Sequence, residues 1–128
     1  MKKILFATIA FAAIIFNACK KDTAGSDLPK ITIDSPIDES TYDYSDTVFI
    51  KASITHTEEM HTYKIMARQS EDGSVSTIKY EHEHSKNINI DTWFFPNIST
   101  HKHYYIIVEA EDHDGLISSD SVLVHIDN

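Results

Sequence analysis

The sequence predicts an all-β domain, a sandwich of about seven antiparallel strands over residues 29–128. Three observations carry that expectation. From Pro29 onward, β-branched and aromatic residues alternate with polar ones at period two, and no stretch with helical spacing competes. Gly73 and Gly115 each follow an aspartate between two strand-like runs, where Asp-Gly supplies the positive φ of a tight hairpin. The strand-like runs recur at short, regular spacing, as they do in sandwiches.

Taken in order, "KITID" is the first strand and "SPIDES" closes it. In "DTVFIKASITH", Val48, Ile50, Ala52 and Ile54 share one face. "HTYKIMARQ" passes through the turn "SEDGS" into "VSTIKYEHEHSK", and "NINIDTWFF" leads to "PNIST". "HKHYYIIVEAE" reaches the turn "DHDG", and "LISSDSVLVHID" follows it. Alternation points Ile106, Val108 and Ala110 inward, with Val122, Val124 and Ile126 facing them from the last strand. Trp93 or Phe94 is expected to plug the sandwich; the other reading of Trp93-Phe94-Phe95 is a surface platform for sugar.

Upstream of the domain, Lys2 and Lys3 precede a charge-free apolar run from Ile4 to Phe16. That is short of the roughly 20 residues a bilayer span needs and fits a signal-peptide core. The run closes on "FNAC", which resembles a bacterial lipoprotein lipobox. The resemblance implies a signal peptide over residues 1–18, an acyl anchor on Cys19, and a tether over residues 19–28. It further implies a lipoprotein of the cell envelope at the outer membrane, on its periplasmic face or at the cell surface. Cys19 is the sole cysteine, so the domain can form no disulfide and no cysteine–zinc site. The formal charge of −9 repels phosphate backbones and argues against a nucleic-acid partner, while attracting cations in a general way.

"HYYIIVEAEDHDGLISSDSVLVHI" resembles the last two strands of bacterial immunoglobulin-like and fibronectin type III-like modules, with Tyr104 at their tyrosine-corner position. "ITIDSPIDES" resembles their opening strand. The likeness implies an Ig-like fold and a surface module with a protein or glycan partner, and names no ligand. A weaker resemblance is to small His-rich lipoproteins of unknown function. In those a His-x-His pair is expected just after the corner tyrosine, whereas here His101 and His103 precede Tyr104.

All eight histidines lie after residue 55. Residues i and i+2 of a strand share a face about 6.6 Å apart, so His82 with His84, and His101 with His103, can each grip one divalent ion. Zinc, copper and nickel are the candidate ions. The hairpin at Asp114-Gly115 sets His103 opposite His125 and His101 opposite Asp127, all on the outer face. The hairpin at Asp72-Gly73 sets His84 opposite His61, near the loops that carry His56 and His113. In a fibronectin-like sheet the two groups fall at opposite ends; with another connectivity His82, His84, His101 and His103 would meet as one four-imidazole site. Polar strand faces and the blunting of an edge strand explain the same residues without any metal.

Asp112, Asp114 and Glu109 hint at calcium, but the oxygens are too few at the needed spacing and a hairpin turn accounts for them. No catalysis is expected. The chain has no Gly-x-Ser-x-Gly elbow and no domain cysteine, and short loops suggest no concave pocket.

Overall fold

Eight strands, one more than expected, form two facing sheets in the computed structural model, which describes residues 27–128. They are β1 (Lys30–Ser35), β2 (Ser40–Asp43), β3 (Val48–Thr55), β4 (Met60–Gln69), β5 (Val75–His82), β6 (Asn87–Phe94), β7 (Lys102–Asp112) and β8 (Ile117–Asp127). One sheet has the order β1-β3-β6 and the other β2-β8-β7-β4-β5. The signal-peptide and lipid-anchor expectations, with Cys19, lie outside the described residues.

The period-two pattern places the core as expected. Val48, Ile50, Ala52 and Ile54 of β3, with Ile88 and Ile90 of β6, are buried against Ile106, Val108 and Ala110 of β7. Val124 and Ile126 of β8 and Tyr63, Ile65 and Ala67 of β4 complete that layer. Each fully buried aliphatic side chain contributes roughly 1.5–3 kcal/mol relative to exposure. Of the two aromatics considered for the plug, Phe94 packs on the core, its ring 5.2 Å from that of Tyr104, while Trp93 is 59% exposed.

The strand missed from the sequence is β2. It is four residues of "STYD" in an acidic, serine-rich stretch, too short for alternation to register. What makes it a strand is the free edge of β8, along which it runs parallel, Ser40 beside Val124 and Tyr42 beside Ile126. The chain changes sheets between β1 and β2 at the buried Pro36. There Glu39 N–H donates to the Leu123 carbonyl, and Asp38 accepts from Leu123 N–H, both at 2.8 Å.

Both Asp-Gly turns behave as their chemistry requires, with Gly73 at φ 72° and Gly115 at φ 79°. The Asp112 carboxylate accepts from Asp114 N–H and Leu116 N–H, each at 2.9 Å, so it ties the β7–β8 turn and is not arranged as a calcium ligand. A Cβ at Gly115 would meet no atom within 4 Å, yet that φ disfavours any L side chain by roughly 1–2 kcal/mol. Gly115→Ala is therefore expected to lower the thermal midpoint by roughly 4–8 °C per kcal/mol lost. An unchanged midpoint by circular dichroism would mean the turn relaxes to negative φ.

Candidate metal sites

The histidines separate to the two ends of the five-stranded sheet. One end collects the start of β7, the end of β8, the β4–β5 turn and the approach to β2. Here His103 stands opposite His125 in the β7–β8 ladder. The His101 and His103 rings lie 4.4 Å apart, and those of His103 and His125 4.9 Å apart. Each ring has a carboxylate behind it. His103 Nδ1 donates to Glu71 Oε1 at 2.8 Å, and the His103 backbone N–H donates to the same oxygen at 3.0 Å. His101 Nδ1 lies 3.4 Å from Asp127 Oδ1, and His125 Nε2 donates to Glu39 Oε2 at 2.7 Å.

An ionised carboxylate only accepts, so it fixes the tautomer of the ring that faces it. With Nδ1–H of His101 and His103 turned to Asp127 and Glu71, both Nε2 atoms carry lone pairs. Those Nε2 atoms face each other at 2.9 Å. With both Nδ1–H groups on the carboxylates, a proton or a metal ion between the two Nε2 atoms satisfies that separation. A neutral His101 that donates Nε2–H to His103 satisfies it too, since the 3.4 Å approach to Asp127 is a charge contact. Ligands at 2.0–2.1 Å from a tetrahedral zinc lie roughly 3.3 Å apart, within a small rotation of these side chains.

Two of these carboxylates, Glu71 and Asp127, are biased toward the ionised form. Desolvation alone would raise Glu71, but the hydrogen bonds of the His103 side chain and backbone outweigh it and hold it below the usual range. Asp127 is lowered first by the backbone N–H of Asn128 and then by His101.

The other end holds a closed ring of four imidazoles. Centroids run 4.4 Å from His61 to His82, 4.6 Å from His82 to His84, 4.9 Å from His84 to His113, and 4.9 Å from His113 to His61. Nitrogens approach at 2.9 Å between His82 and His84, 3.0 Å between His84 and His113, and 3.2 Å between His113 and His61. Glu59, His84 and His113 each offer a ligand atom, all within 4.8 Å of one another. Neutral imidazoles satisfy these three contacts as an open chain from His82 to His61, in which His84 and His113 each donate once and accept once. The chain is complete without an added ion.

The register here departs from expectation by one residue. Thr62 pairs with His82, and Glu83 N–H donates to the His61 carbonyl at 3.1 Å, so His84 is not opposite His61. The β4–β5 turn closes on Gln69 and Ser74, which starts the ladder two residues short of the expected register. A bulge at Ile78, between the pairs Met66–Thr77 and Ile65–Lys79, restores one of them. On the other side of β4, Met60 pairs with Asp112 and Thr62 with Glu111, so that His61 is bulged toward β7. Met60 and Tyr63 are both buried across it, which turns His61 out toward His82. The five histidines expected to ligate thus fall in two places, His82 and His84 apart from His101, His103 and His125. His61, His113 and Glu59 join the former pair. The expected nearness of the His113 loop to His61 and His84 is met by nitrogen contacts of 3.2 and 3.0 Å, whereas Glu59 had no signal in the sequence.

His56 belongs to neither group. Its Nδ1 accepts from Glu58 N–H at 3.2 Å, its Nε2 meets the Asp27 carbonyl, and it lies 3.8 Å from the Asp112 carboxylate with both side chains almost fully buried. It fastens the entry of the domain to the β7–β8 turn.

No family model and no curated protein matches the chain. Among solved structures, it is similar to fibronectin(III)-like modules of Clostridium thermocellum CbhA, with a TM-score of 0.50 and 16% identity over 76% of this chain and 94% of that one. It is also similar to a Niemann-Pick type C2 protein from Japanese carpenter ant, with a TM-score of 0.49 and 9% identity over 81% of this chain and 96% of that one. The first likeness supports an Ig-like, fibronectin type III-type sandwich.

Proposed function

We propose that this chain is a membrane-anchored binding module that holds a divalent transition-metal ion between the imidazoles of His101 and His103, with His125 beside them as the nearest further imidazole. The ion is zinc, copper or nickel, which imidazole nitrogen suits. The observation that carries the reading is the 2.9 Å approach of two Nε2 atoms whose opposite nitrogens face carboxylates. Carboxylate-backed histidine is the usual second layer of a metal site, because it fixes the ring and makes its free nitrogen more basic. The net charge of −9 raises the local concentration of cations. The four-imidazole ring with Glu59 is a second, weaker site. An acyl group on Cys19 would hold the module at the outer membrane, with the tether setting its reach.

The test is titration calorimetry of each metal into the full chain at about pH 7.5 and again at about pH 5.5. Binding requires neutral imidazole, whose ordinary pKa is near 6.5, so affinity is expected to collapse at the lower pH. His82 takes up its proton less readily than an ordinary imidazole. Burial, and then the charges of His61, His84 and His113, depress its pKa below 6.5. Folded His82 therefore takes up its proton less readily than the unfolded chain does. It adds stability above pH 6.5 that is lost as the pH falls through its lowered pKa. Heats no larger than those of a histidine-free acidic protein would end the metal reading. The chain would then stand as an adhesive or structural module with a protein or glycan partner, a reading favoured by a ring of histidines that needs no ion.

A further inference from the structure

The five-stranded sheet is wider than the sheet it faces. β5 pairs only with β4, and most of its residues are exposed. Between β5 and the free edge of β6 lies a cleft of about 610 Å³, contrary to the expectation of no pocket. That volume falls within the roughly 300–1,000 Å³ of small-ligand sites.

The wall of the cleft has a distinct chemistry. None of its eleven residues is charged, although charged residues make up 24% of the chain, so the cleft offers an ionic ligand no partner. Ser74, Ser76, Thr77 and Thr92 present hydroxyls and Gln69 an amide, groups that both donate and accept. The Gln69 amide oxygen accepts from the Tyr104 hydroxyl only at 3.5 Å, a long bond that leaves the half-buried Gln69 amide with capacity for a ligand. Trp93 and Phe95, 59% and 43% exposed, border the cleft along the β6 edge, with Trp93 on the outward register of that strand beside Phe49. A purely apolar ligand would leave the hydroxyls unsatisfied, and a charged one would lose its hydration without compensation.

We infer that this cleft binds a neutral oligosaccharide. Such a molecule carries hydroxyls on its rim, which match the serine, threonine and glutamine side chains. Its ring faces are C–H surfaces of slight positive character, which pack on the electron-rich faces of tryptophan and phenylalanine. An extended peptide would instead be held by main-chain bonds along the β5 edge and would gain little from a wall of hydroxyls. The inference is independent of the metal reading, since no residue of the cleft is a proposed ligand.

The experiment is affinity electrophoresis of the full chain, with a chelator present, in gels containing soluble β-glucan, α-glucan, mannan, xylan or galactan. Polygalacturonate serves as the anionic polymer. Trp93 is the only tryptophan, so its emission reports occupancy directly. At least one neutral polymer is expected to retard the protein and shift that emission to shorter wavelength. Trp93→Ala, or Ser76→Asp at an exposed position that leaves the core untouched, should weaken retardation at least tenfold. The inference is overturned by any of four outcomes: no retardation by any neutral polymer, equal retardation of both variants, preference for polygalacturonate, or an emission shift produced only by an extended valine–threonine peptide.

Discussion

Replacing His101, His103 and His125 together by alanine is expected to remove one bound zinc ion per chain and to leave the fold intact. The three side chains sit on the outer face and none belongs to the core, so the cost to stability should stay near that of ordinary surface substitutions, about 0.5 kcal/mol each. Glu71→Gln separates the metal reading from the polar-face reading. It preserves shape but removes the anion behind His103, and loss of such a supporting group lowers metal affinity roughly 10–100-fold. His103→Ala removes a ligand outright and should cost more. His84→Ala with His113→Ala should spare this end and abolish only the weaker binding at the other. A triple variant whose calorimetric isotherm matches that of the unaltered chain would return these histidines to the role of a polar face.

Ile106→Ala is expected to be the most damaging single aliphatic truncation in the domain. Ile106 lies in the middle of β7, between β4 and β8, and is fully buried beneath the three-stranded sheet. Cutting a buried isoleucine to alanine costs roughly 2–5 kcal/mol, because the transfer energy of the lost atoms is joined by the cavity they leave. Against a total stability of roughly 5–15 kcal/mol, that is a large share. The control is the same substitution at Ile117 on β8, which is 53% exposed and should change stability by less than about 0.5 kcal/mol. Urea denaturation followed by Trp93 fluorescence measures both. Equal effects at the two positions would mean that Ile106 does not occupy the packed centre.

Much of the site was legible because β-strand chemistry is periodic. Once Asp114-Gly115 was taken as a hairpin, alternation alone set His103 opposite His125 and brought His101 to Asp127, and both relations hold. The same logic slipped by one residue at the other hairpin. The turn closes on Gln69 and Ser74 and is not centred on Asp72-Gly73, and a bulge at Ile78 adds a residue without altering composition, so alternation alone could not place either. The aromatic run shows the same limit. Sequence could say that one of Trp93 and Phe94 faces inward, but only the pairing of Val48 with Phe94 and Phe49 with Trp93 decides which.

By itself the sequence determined the sandwich, its core faces, its two Asp-Gly turns and the histidines able to share a face. These follow from local rules, the two-residue period of a strand and the φ of glycine, which act between neighbours in the chain. Tertiary structure alone decided that "STYD" becomes a strand, that Glu39 reaches His125 and Glu71 reaches His103, and that His113 closes a ring with His61, His82 and His84. Those contacts join groups 29 to 86 residues apart. No local pattern encodes them, because each depends on where two separately folded edges of the sheets come to rest.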